Sequence, residues 1–524
     1  MSENFSYNYV KCSKCGHDQN PSTASKCEIC GNPLKKGGVP VAAVLGGLVL
    51  LAAVAGGGYI ALKDKLNSST NSTPTNNSTP ANVIGSSQVA QTSQPTTSNP
   101  SLTDGSQYIS FGDRLLFARS SNPDKQAAAT AYANGDFQTA VTKLEASLKA
   151  NPNDPEALVF LNNARLGNKN AIQIAAVLPI SKSPSPSLEL LRGVAQAQDE
   201  ANKVGNLIRV AIADDNNDPE RAQQIASTLA KNIDILAVVG HGTSKSSLAA
   251  APIYSQNQLV MIAPTSTTSE LTQIPKGSDG VNYIYRTIIS DQFTGTALAR
   301  YMLSRMNKRT AVVFYNSGSS YSNSLRTAFS TTLGLEGGKV VSEVDLSKEN
   351  PAAQLANITA EALVLLPDSD TMPQAISVVK ANENRIPLLA GDAVYRIENL
   401  QEAGRELNGT VISTPWHPLA SPNKIFPQVA VKLWKANVNW RTALSYDAMQ
   451  VLRVAIVQAQ AVPKSGQQGR VALAKALVKS GFETSGATGK IQFLPSGDRN
   501  SNVLLLQVKP GNSSGTGFDF LPIK

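Results

Sequence analysis

The chain has 524 residues, too many for a single hydrophobic core, so two or more domains are expected. Lysine and arginine number 47 against 38 aspartates and glutamates, and the net charge of +9 is spread out without any run of five basic residues. Nucleic acid is therefore not an expected partner. All four cysteines precede residue 31, so the rest of the chain forms no disulfide within itself.

The four cysteines form two CxxC pairs, Cys12 with Cys15 and Cys27 with Cys30, and eleven residues separate the pairs. Each CxxC turn brings two thiolates together, and four sulfur ligands give the closed tetrahedral coordination of a structural zinc site. The pattern resembles a zinc ribbon, which we assign to residues 1–38. Two disulfides or four free thiols are the alternatives.

Residues 39–62 contain no charged side chain over 24 positions. At about 1.5 Å per residue, a helix of this length reaches roughly 36 Å, enough to cross a bilayer with some tilt. Lysines are more frequent before the segment than after it, which favours a cytoplasmic N-terminus. A cleaved signal peptide is the alternative, but the 38 residues before the apolar run are too many for one. We therefore expect a single-pass anchor in the cell (inner) membrane, with the C-terminal domain periplasmic or extracellular.

Residues 63–108 are dominated by serine, threonine, asparagine and proline, a composition that predicts a disordered linker. A helical segment is predicted at 109–169, because Phe137, Ala140, Leu144 and Leu148 recur at helical spacing before a break at 151–155. The order of these residues resembles a tetratricopeptide repeat, of which about one and a half copies are present. A helical spacer packed on the next domain is an equally supported interpretation.

From residue 170 to 524, short apolar runs alternate with amphipathic helical patterns. Ten runs in two groups are predicted strands: 172–178, 208–213, 235–239, 259–263 and 283–288, then 311–315, 340–344, 362–366, 387–390 and 410–413. This alternation is typical of α/β proteins and predicts two doubly wound parallel sheets joined by a hinge. Crossings between the two lobes are expected near residues 290 and 413–416, and again before residue 446.

Two loops follow neighbouring strands of the first group, at 240–244 and 263–269, and both are rich in small hydroxyl side chains. Ligands of such sheets bind beyond the carboxyl ends of the strands. A helix predicted to begin at Ser244 adds backbone N–H groups that have no partner within the helix. The two loops therefore suit a small carboxylate. For His241, in the first loop, we expect satisfied hydrogen bonds rather than a ligand contact.

Several motifs occur in order along this part of the chain. They are Asp-Asp-Asn-Asn-Asp-Pro at 214–219, Ala-Pro-Thr-Ser-Thr-Thr-Ser at 263–269, Tyr-Arg-Thr at 285–287, Gly-Asp at 391–392 and Tyr-Asp-Ala at 446–448. Over residues 172–524 the chain resembles the type I periplasmic binding proteins for branched-chain and other amino acids, the leucine-binding family. The resemblance implies a two-lobed α/β fold that closes around a small ligand by a hinge movement.

The resemblance also implies roles for individual residues. Ser244 and its helix N-terminus would hold the α-carboxylate of an amino acid. Thr265 would offer its backbone carbonyl, and Thr267 its hydroxyl and N–H, to the α-amino and carboxylate groups. Tyr321 would close over the ligand from the second lobe, and Asp392 would balance the α-ammonium charge. For any single serine or threonine an ordinary helix cap is the alternative, and for Asp392 it is a turn residue.

Two loops depart from the family pattern. The loop at 367–370 is polar where many members place aromatic residues, and the loop at 181–187 is short and polar. Both loops shape the pocket for the ligand's side chain. They favour a polar or charged amino acid, or a ligand of another kind.

The sequence therefore predicts a membrane-anchored solute-binding protein or receptor for a small ligand. Its partners would be an ABC-type permease for uptake, or, for sensing, a cytoplasmic protein bound by the zinc ribbon. No phosphate-binding loop, GxSxG or HExxH motif occurs, so an enzyme is not expected. The alternative is an envelope protein that binds no ligand and regulates cell-wall synthesis through its surface, since helical repeats joined to this fold resemble such regulators.

Overall fold

The computed structural model describes residues 9–10, 20–21, 104–117, 122–348, 350–458 and 465–523. The four cysteines of the predicted zinc ribbon, the predicted transmembrane helix and residues 63–103 of the predicted linker lie outside these ranges. Near the N-terminus, β1 (Tyr9–Val10) and β2 (Asn20–Pro21) pair antiparallel. Within the described ranges, no helix combines the length and the apolar character needed to cross a membrane.

Three helices precede the two lobes: α1 (Pro123–Ala133), α2 (Phe137–Ala150) and α3 (Pro155–Leu166). Each helix follows a capping residue whose side chain accepts a hydrogen bond from a backbone N–H of the first turn; the capping residues are Asn122, Asp136 and Asp154 respectively. Residues 111–117, which the sequence analysis includes in the helical segment, form bends instead. The buried Lys125 ammonium joins the Asp154 and Glu156 carboxylates at 2.7 and 2.8 Å, which fixes α1 to the start of α3.

The first lobe is built on a six-stranded sheet. Its strands are β3 (Ile109–Ser110), β4 (Ile172–Leu178), β5 (Ile208–Asp214), β6 (Ile235–Gly240), β7 (Val260–Ala263) and β8 (Ile284–Arg286), in the spatial order β3-β5-β4-β6-β7-β8. Only β3 is antiparallel to its neighbour. Its helices are α4 (Pro184–Lys203), α5 (Pro219–Lys231) and α6 (Ser244–Gln256). Side chains on one face of β4 pack against α4, and those on the other face pack against α5 and α6. Both faces of the sheet are therefore buried.

The second lobe is built on a seven-stranded sheet. Its strands are β9 (Thr310–Tyr315), β10 (Lys339–Asp345), β11 (Ala362–Leu366), β12 (Leu388–Ala390), β13 (Val411–Thr414), β16 (Leu504–Pro510) and β17 (Phe518–Pro522), in the order β10-β9-β11-β12-β13-β16-β17. β16 is antiparallel to both of its neighbours, β13 and β17. Its helices are α7 (Asp291–Ser304), α8 (Ser320–Leu335), α9 (Met372–Asn382) and α10 (Ile397–Leu407). All ten predicted strands are confirmed, each within two residues of its predicted ends.

Between β13 and β16 the chain returns to the first lobe. This return segment contains α11 (Ile425–Trp434), α12 (Trp440–Gln458), α13 (Gly466–Leu477), β14 (Thr484–Gly486) and β15 (Gly489–Ile491). The Ser445 hydroxyl donates to the Leu190 carbonyl oxygen at 2.7 Å, which holds α12 on α4. The third crossing therefore lies between residues 500 and 504, and the prediction that it precedes residue 446 is wrong.

The first lobe also includes residues before 170. β3 forms the edge of its sheet, and the backbone N–H of Gly105 donates to Thr228 Oγ1 at 3.0 Å. Residues 104–108, the last part of the range predicted to be a linker, are thus held by the fold. Asn163 on α3 donates from Nδ2 to the carbonyl oxygens of Phe111 and Val210, each at 2.7 Å. α1–α3 share a core with α4 and the sheet rather than forming a separate body.

Candidate functional site

A cavity of about 230 Å³ lies between the lobes, beyond the carboxyl ends of β6 and β7 on one side and of β11 and β12 on the other. We call it the cleft. Its lining residues are 182, 183, 217, 242–245 and 265 of the first lobe, 316, 318–321, 368–370, 392, 393 and 396 of the second, and 440 and 441 at the start of α12. This is the position at which α/β sheets bind ligands.

The first lobe presents the N-terminus of α6 to the cleft. Thr243 caps this helix, because its hydroxyl accepts from the backbone N–H of Ser246 at 3.3 Å and donates to Asn217 Oδ1 at 2.7 Å. Ser244 is therefore not the cap. It lines the cleft as the first helical residue, and its Oγ accepts from Ser266 Oγ at 3.4 Å. The helix dipole and the N–H groups of this first turn favour a bound anion.

The second loop enters the cleft at only one of the two predicted threonines. Thr265 lines the cleft, and its Oγ1 donates to the Gly242 carbonyl oxygen at 3.0 Å. Thr267 lies at the contact between the lobes instead, where its carbonyl oxygen accepts from the backbone N–H of Asp291 at 2.8 Å. The loop turns away from the cavity because the Arg286 guanidinium donates to the carbonyl oxygens of residues 266 and 268.

From the second lobe, Tyr321 and Asp392 reach the cleft together. The Tyr321 hydroxyl donates to Asp392 Oδ1 at 2.7 Å. This contact depends on Gly391, where a Cβ would lie 2.5 Å from the Tyr321 hydroxyl oxygen. Burial raises the pKa of Asp392, while the hydrogen bond from Tyr321 and the charge of Arg441 partly lower it. A cation bound beside this carboxylate would stabilise its charged form.

A second acid, Asp291, begins α7 and is 1% exposed, but it does not line the cleft. Burial and the nearby charge of Asp392 raise the pKa of Asp291 to about 8. The hydroxyls of Thr267 and Ser324 are near enough to lower this pKa in part, yet neither carboxyl oxygen has a well-formed hydrogen bond. The two lobes thus meet around a carboxyl group that is mostly protonated at neutral pH.

Residues 171–515 match the family model described as periplasmic binding protein. The chain belongs to this family. The Leu/Ile/Val-binding protein BraC3 of Rhizobium johnstonii is 24% identical over 326 residues, which are 60% of this chain and 84% of that protein. The leucine-binding protein LivK of Thermotoga maritima matches with a TM-score of 0.58 and 26% identity, over 67% of this chain and 97% of that one. A substrate-binding protein of Desulfitobacterium hafniense, solved in complex with Leu, matches with a TM-score of 0.55 and 23% identity. The match covers 67% of this chain and 100% of that one, which shows the shared fold.

The two loops of this periplasmic binding protein that the sequence predicts to shape the pocket, at 181–187 and 367–370, do contribute to the cleft, whereas the residues not predicted include Trp440 and Arg441. Lys182 and Asp370 form an ion pair of 3.6 Å that joins the two lobes, with both side chains about half exposed. Trp440 and Arg441 begin α12, and the guanidinium lies 4.2 Å from the centre of the indole ring. These two residues precede the Tyr-Asp-Ala motif at 446–448 by a few positions. A search that includes helix starts as well as loops after strands would have found them.

His241 lies outside the lining of the cleft and is completely buried. Its Nδ1 is 2.7 Å from Asp215 Oδ2, and its Nε2 is 3.1 Å from the Tyr254 hydroxyl. The expectation of a histidine with satisfied hydrogen bonds is therefore confirmed. In the described part of the chain, no group of three or more histidine, cysteine or acidic side chains is arranged to hold a metal ion.

Proposed function

We propose that this protein is a membrane-anchored, extracytoplasmic solute-binding protein that captures a small amino acid by hinge closure. The observation that carries the proposal is the pairing across the cleft of two complementary groups. The first lobe offers the N-terminus of α6 with the Ser244 and Thr265 side chains, and the second offers the hydrogen-bonded pair Tyr321 and Asp392. An amino-acid zwitterion carries a carboxylate that suits the first lobe and an ammonium group that suits the second.

Closure follows from this division of the site. A carboxylate bound at α6 contacts only the first lobe, so its ammonium group attracts the second lobe through Asp392. Each lobe then binds the ligand better when the other is in place, and the closed state is favoured by the difference in affinity. The buried Asp392 carboxylate gains its counter-charge at the same step, which offsets part of the cost of burying it.

The relatives named for binding Leu, Ile and Val support an amino acid as ligand. Anchoring by residues 39–62 and a zinc ribbon of Cys12, Cys15, Cys27 and Cys30 in the cytoplasm are part of the proposal and rest on the sequence patterns. A permanently anchored receptor can deliver its ligand to an ABC-type permease or report binding to a cytoplasmic partner. Digestion of intact cells or spheroplasts by an added protease should remove the C-terminal domain and leave the N-terminal segment protected.

Ligand binding is tested by thermal unfolding of the full-length protein, purified in detergent, with each of the twenty amino acids. A ligand at a hundred times its Kd should add about 2.7 kcal/mol to the free energy of unfolding. Ser244→Ala should weaken binding by about 1–3 kcal/mol through a lost hydrogen bond to a charged group. Ser304→Ala, the same change on the exposed side of α7, is the matched control. No stabilisation by any amino acid would contradict the proposal and favour the envelope regulator that binds no ligand.

A further inference from the structure

A second cavity, of about 140 Å³, lies beside the crossing that follows β13, and we call it the hinge cavity. Its walls come from α4 and the start of α12 in the first lobe, from the start of α10 and from β17 in the second, and from residues 417–419 just after the crossing. Arg396, Trp440 and Arg441 line the cleft as well, so these three side chains form the boundary between the two cavities.

The hinge cavity differs from the cleft in the character of its walls. Its apolar lining includes Ile397, Leu419, Val438, Phe520 and Leu521, none of which lines the cleft. An apolar group gains free energy when it leaves water for such surroundings. An apolar cavity of about 150 Å³ holds one benzene molecule, so the hinge cavity has the size and the walls for a single aromatic ring.

One hydrogen-bond donor in the wall of the hinge cavity has no partner. His417 lines the cavity and is 6% exposed. Its Nδ1 accepts from the backbone N–H of Leu419 at 3.2 Å, so the imidazole is neutral and its proton is on Nε2. Burial has the same effect, because it lowers the pKa of His417 to about 4. Within the described ranges no group accepts from this buried N–H, and a ligand oxygen in the cavity would do so.

One hydrogen-bond acceptor in the wall is also without a partner. Glu398, in the first turn of α10, lines the cavity, and its Oε2 is buried and accepts no hydrogen bond from the described residues. Arginine and carboxylate side chains both line the cavity, and Glu189 is already paired with Arg192, so the walls require no net charge from a ligand. A neutral hydroxyl group both donates and accepts, so it can pair with either His417 or Glu398.

The hinge cavity takes its walls from both lobes. A molecule bound there contacts both of them only in the arrangement that the structure shows, in which Lys182 and Asp370 form an ion pair across the cleft. A ligand that binds one arrangement better shifts the protein toward it. Occupation of the hinge cavity should therefore favour the closed cleft, and a ligand in the cleft should strengthen binding in the hinge cavity by the same factor.

We propose that the hinge cavity is a second binding site, and that it takes a small neutral phenol, a single aromatic ring with one hydroxyl group. The ring lies against the apolar walls, and the hydroxyl group pairs with His417 or Glu398. Occupation of this site stabilises the arrangement of the lobes in which the cleft binds its own ligand. The site is separate from the cleft and does not depend on what the cleft binds.

The test is titration of the full-length protein in detergent with phenol, followed by tryptophan fluorescence, because Trp440 lines the hinge cavity. Burial of one aromatic ring predicts a Kd of about 1 mM or below. Ile397→Phe enlarges a partly buried lining residue and should weaken phenol binding by about tenfold or more. Ile425→Phe makes the same change at a residue that is 69% exposed and does not line the cavity, and it should leave the Kd unchanged within about twofold.

Two further probes test the chemical class of the ligand. Benzoate has the same ring with a negative charge, and it should bind about tenfold or more weakly than phenol because the apolar walls do not solvate that charge. Toluene leaves water more readily than phenol, yet it should bind no more tightly, because it leaves the donor and the acceptor in the wall without partners. Tighter binding of benzoate would overturn the assignment of a neutral ligand, and tighter binding of toluene would overturn the role of the hydroxyl group.

The second site and the proposed function can fail separately. Absence of phenol binding, or binding that Ile397→Phe leaves unchanged, would overturn the second site; Leu521→Phe, at another lining residue, repeats the test if Ile397→Phe does not fold. Saturating phenol should raise the affinity of the cleft for its amino acid by about fivefold or more, and an unchanged affinity would overturn the link between the two sites. Failure of every amino acid to bind would overturn the proposed function and leave phenol binding as a property of the hinge cavity.

Discussion

Replacement of Asp291 by asparagine should make the protein more stable, and increasingly so as the pH rises. Asp291 is 1% exposed at the contact between the lobes, and its pKa is raised to about 8 by burial and by Asp392. In the unfolded chain the same group has a pKa near 3.8. Between these two values the folded state binds a proton that the unfolded state has lost, so the free energy of unfolding falls as the pH rises. Asparagine has the same shape and no proton to lose, so this decline disappears.

The size of the effect follows from the difference between the folded and unfolded pKa values of Asp291. Each pH unit between about 4 and 8 corresponds to about 1.4 kcal/mol, so the advantage of Asp291→Asn should grow by about 3 kcal/mol from pH 5 to pH 7. The slope is more diagnostic than the absolute difference, because the asparagine amide also changes the contacts with the Thr267 and Ser324 hydroxyls.

Urea unfolding at pH 5, 6 and 7, followed by tryptophan fluorescence, measures this slope. All three tryptophans are buried, so their emission changes when the protein unfolds. Asp234→Asn, at an exposed aspartate of the first lobe, is the control and should show no pH-dependent difference over this range. A difference between Asp291→Asn and the wild type that stays constant from pH 5 to pH 7 would mean that Asp291 is ionised in the folded protein.

Three further changes test other parts of the molecule. Lys125→Met should lower the free energy of unfolding by about 3 kcal/mol or more, because it leaves two buried carboxylates without their cation. Lys143→Met is the control: Lys143 pairs with Asp124, both side chains are 42% exposed, and the loss should be less than about 1 kcal/mol. Gly193→Ala should destabilise by about 1–3 kcal/mol because its Cβ would lie 2.2 Å from atoms of α12, whereas Gly334→Ala, with no atom within 4 Å, should be neutral or stabilising. Metal analysis of the full-length protein should find one zinc per chain, lost on Cys12→Ser; a zinc-free protein with no free thiol would indicate two disulfides.

Local sequence patterns were sufficient for ten strands of the two sheets and for the first loop of the site. Apolar runs between amphipathic helices marked all ten predicted strands, because most of them are buried on both faces of their sheet; the edge strand β10 is largely exposed. The start of α6 at Ser244 could be placed for a similar reason, since hydroxyl side chains cluster where a helix needs caps.

Features that depend on distant residues were beyond those patterns. Thr267 turns away from the cleft because Arg286, which holds its loop, is itself paired with Asp498 far along the chain. The presence of Trp440 and Arg441 beside Arg396 in the cleft depends on which lobe α12 joins, and the predicted crossing before residue 446 is too early in the chain. β3 pairs across more than a hundred residues of chain, so nothing in its two residues marks it as a strand.

The order of attachment along the chain decides which lobe moves when the ligand binds. Residue 104, where the described domain begins, is fixed to the first lobe through Gly105 and β3, and Asn163 fixes the three helices to the same sheet. In the proposed topology the membrane anchor therefore holds the first lobe, with the N-terminus of α6 and the carboxylate end of the ligand. Closure then carries the second lobe, with Tyr321 and Asp392, toward an anchored partner. A permease or sensor that distinguishes the bound state must contact the second lobe or the edges of the cleft, because the linker joins the lobe that stays in place.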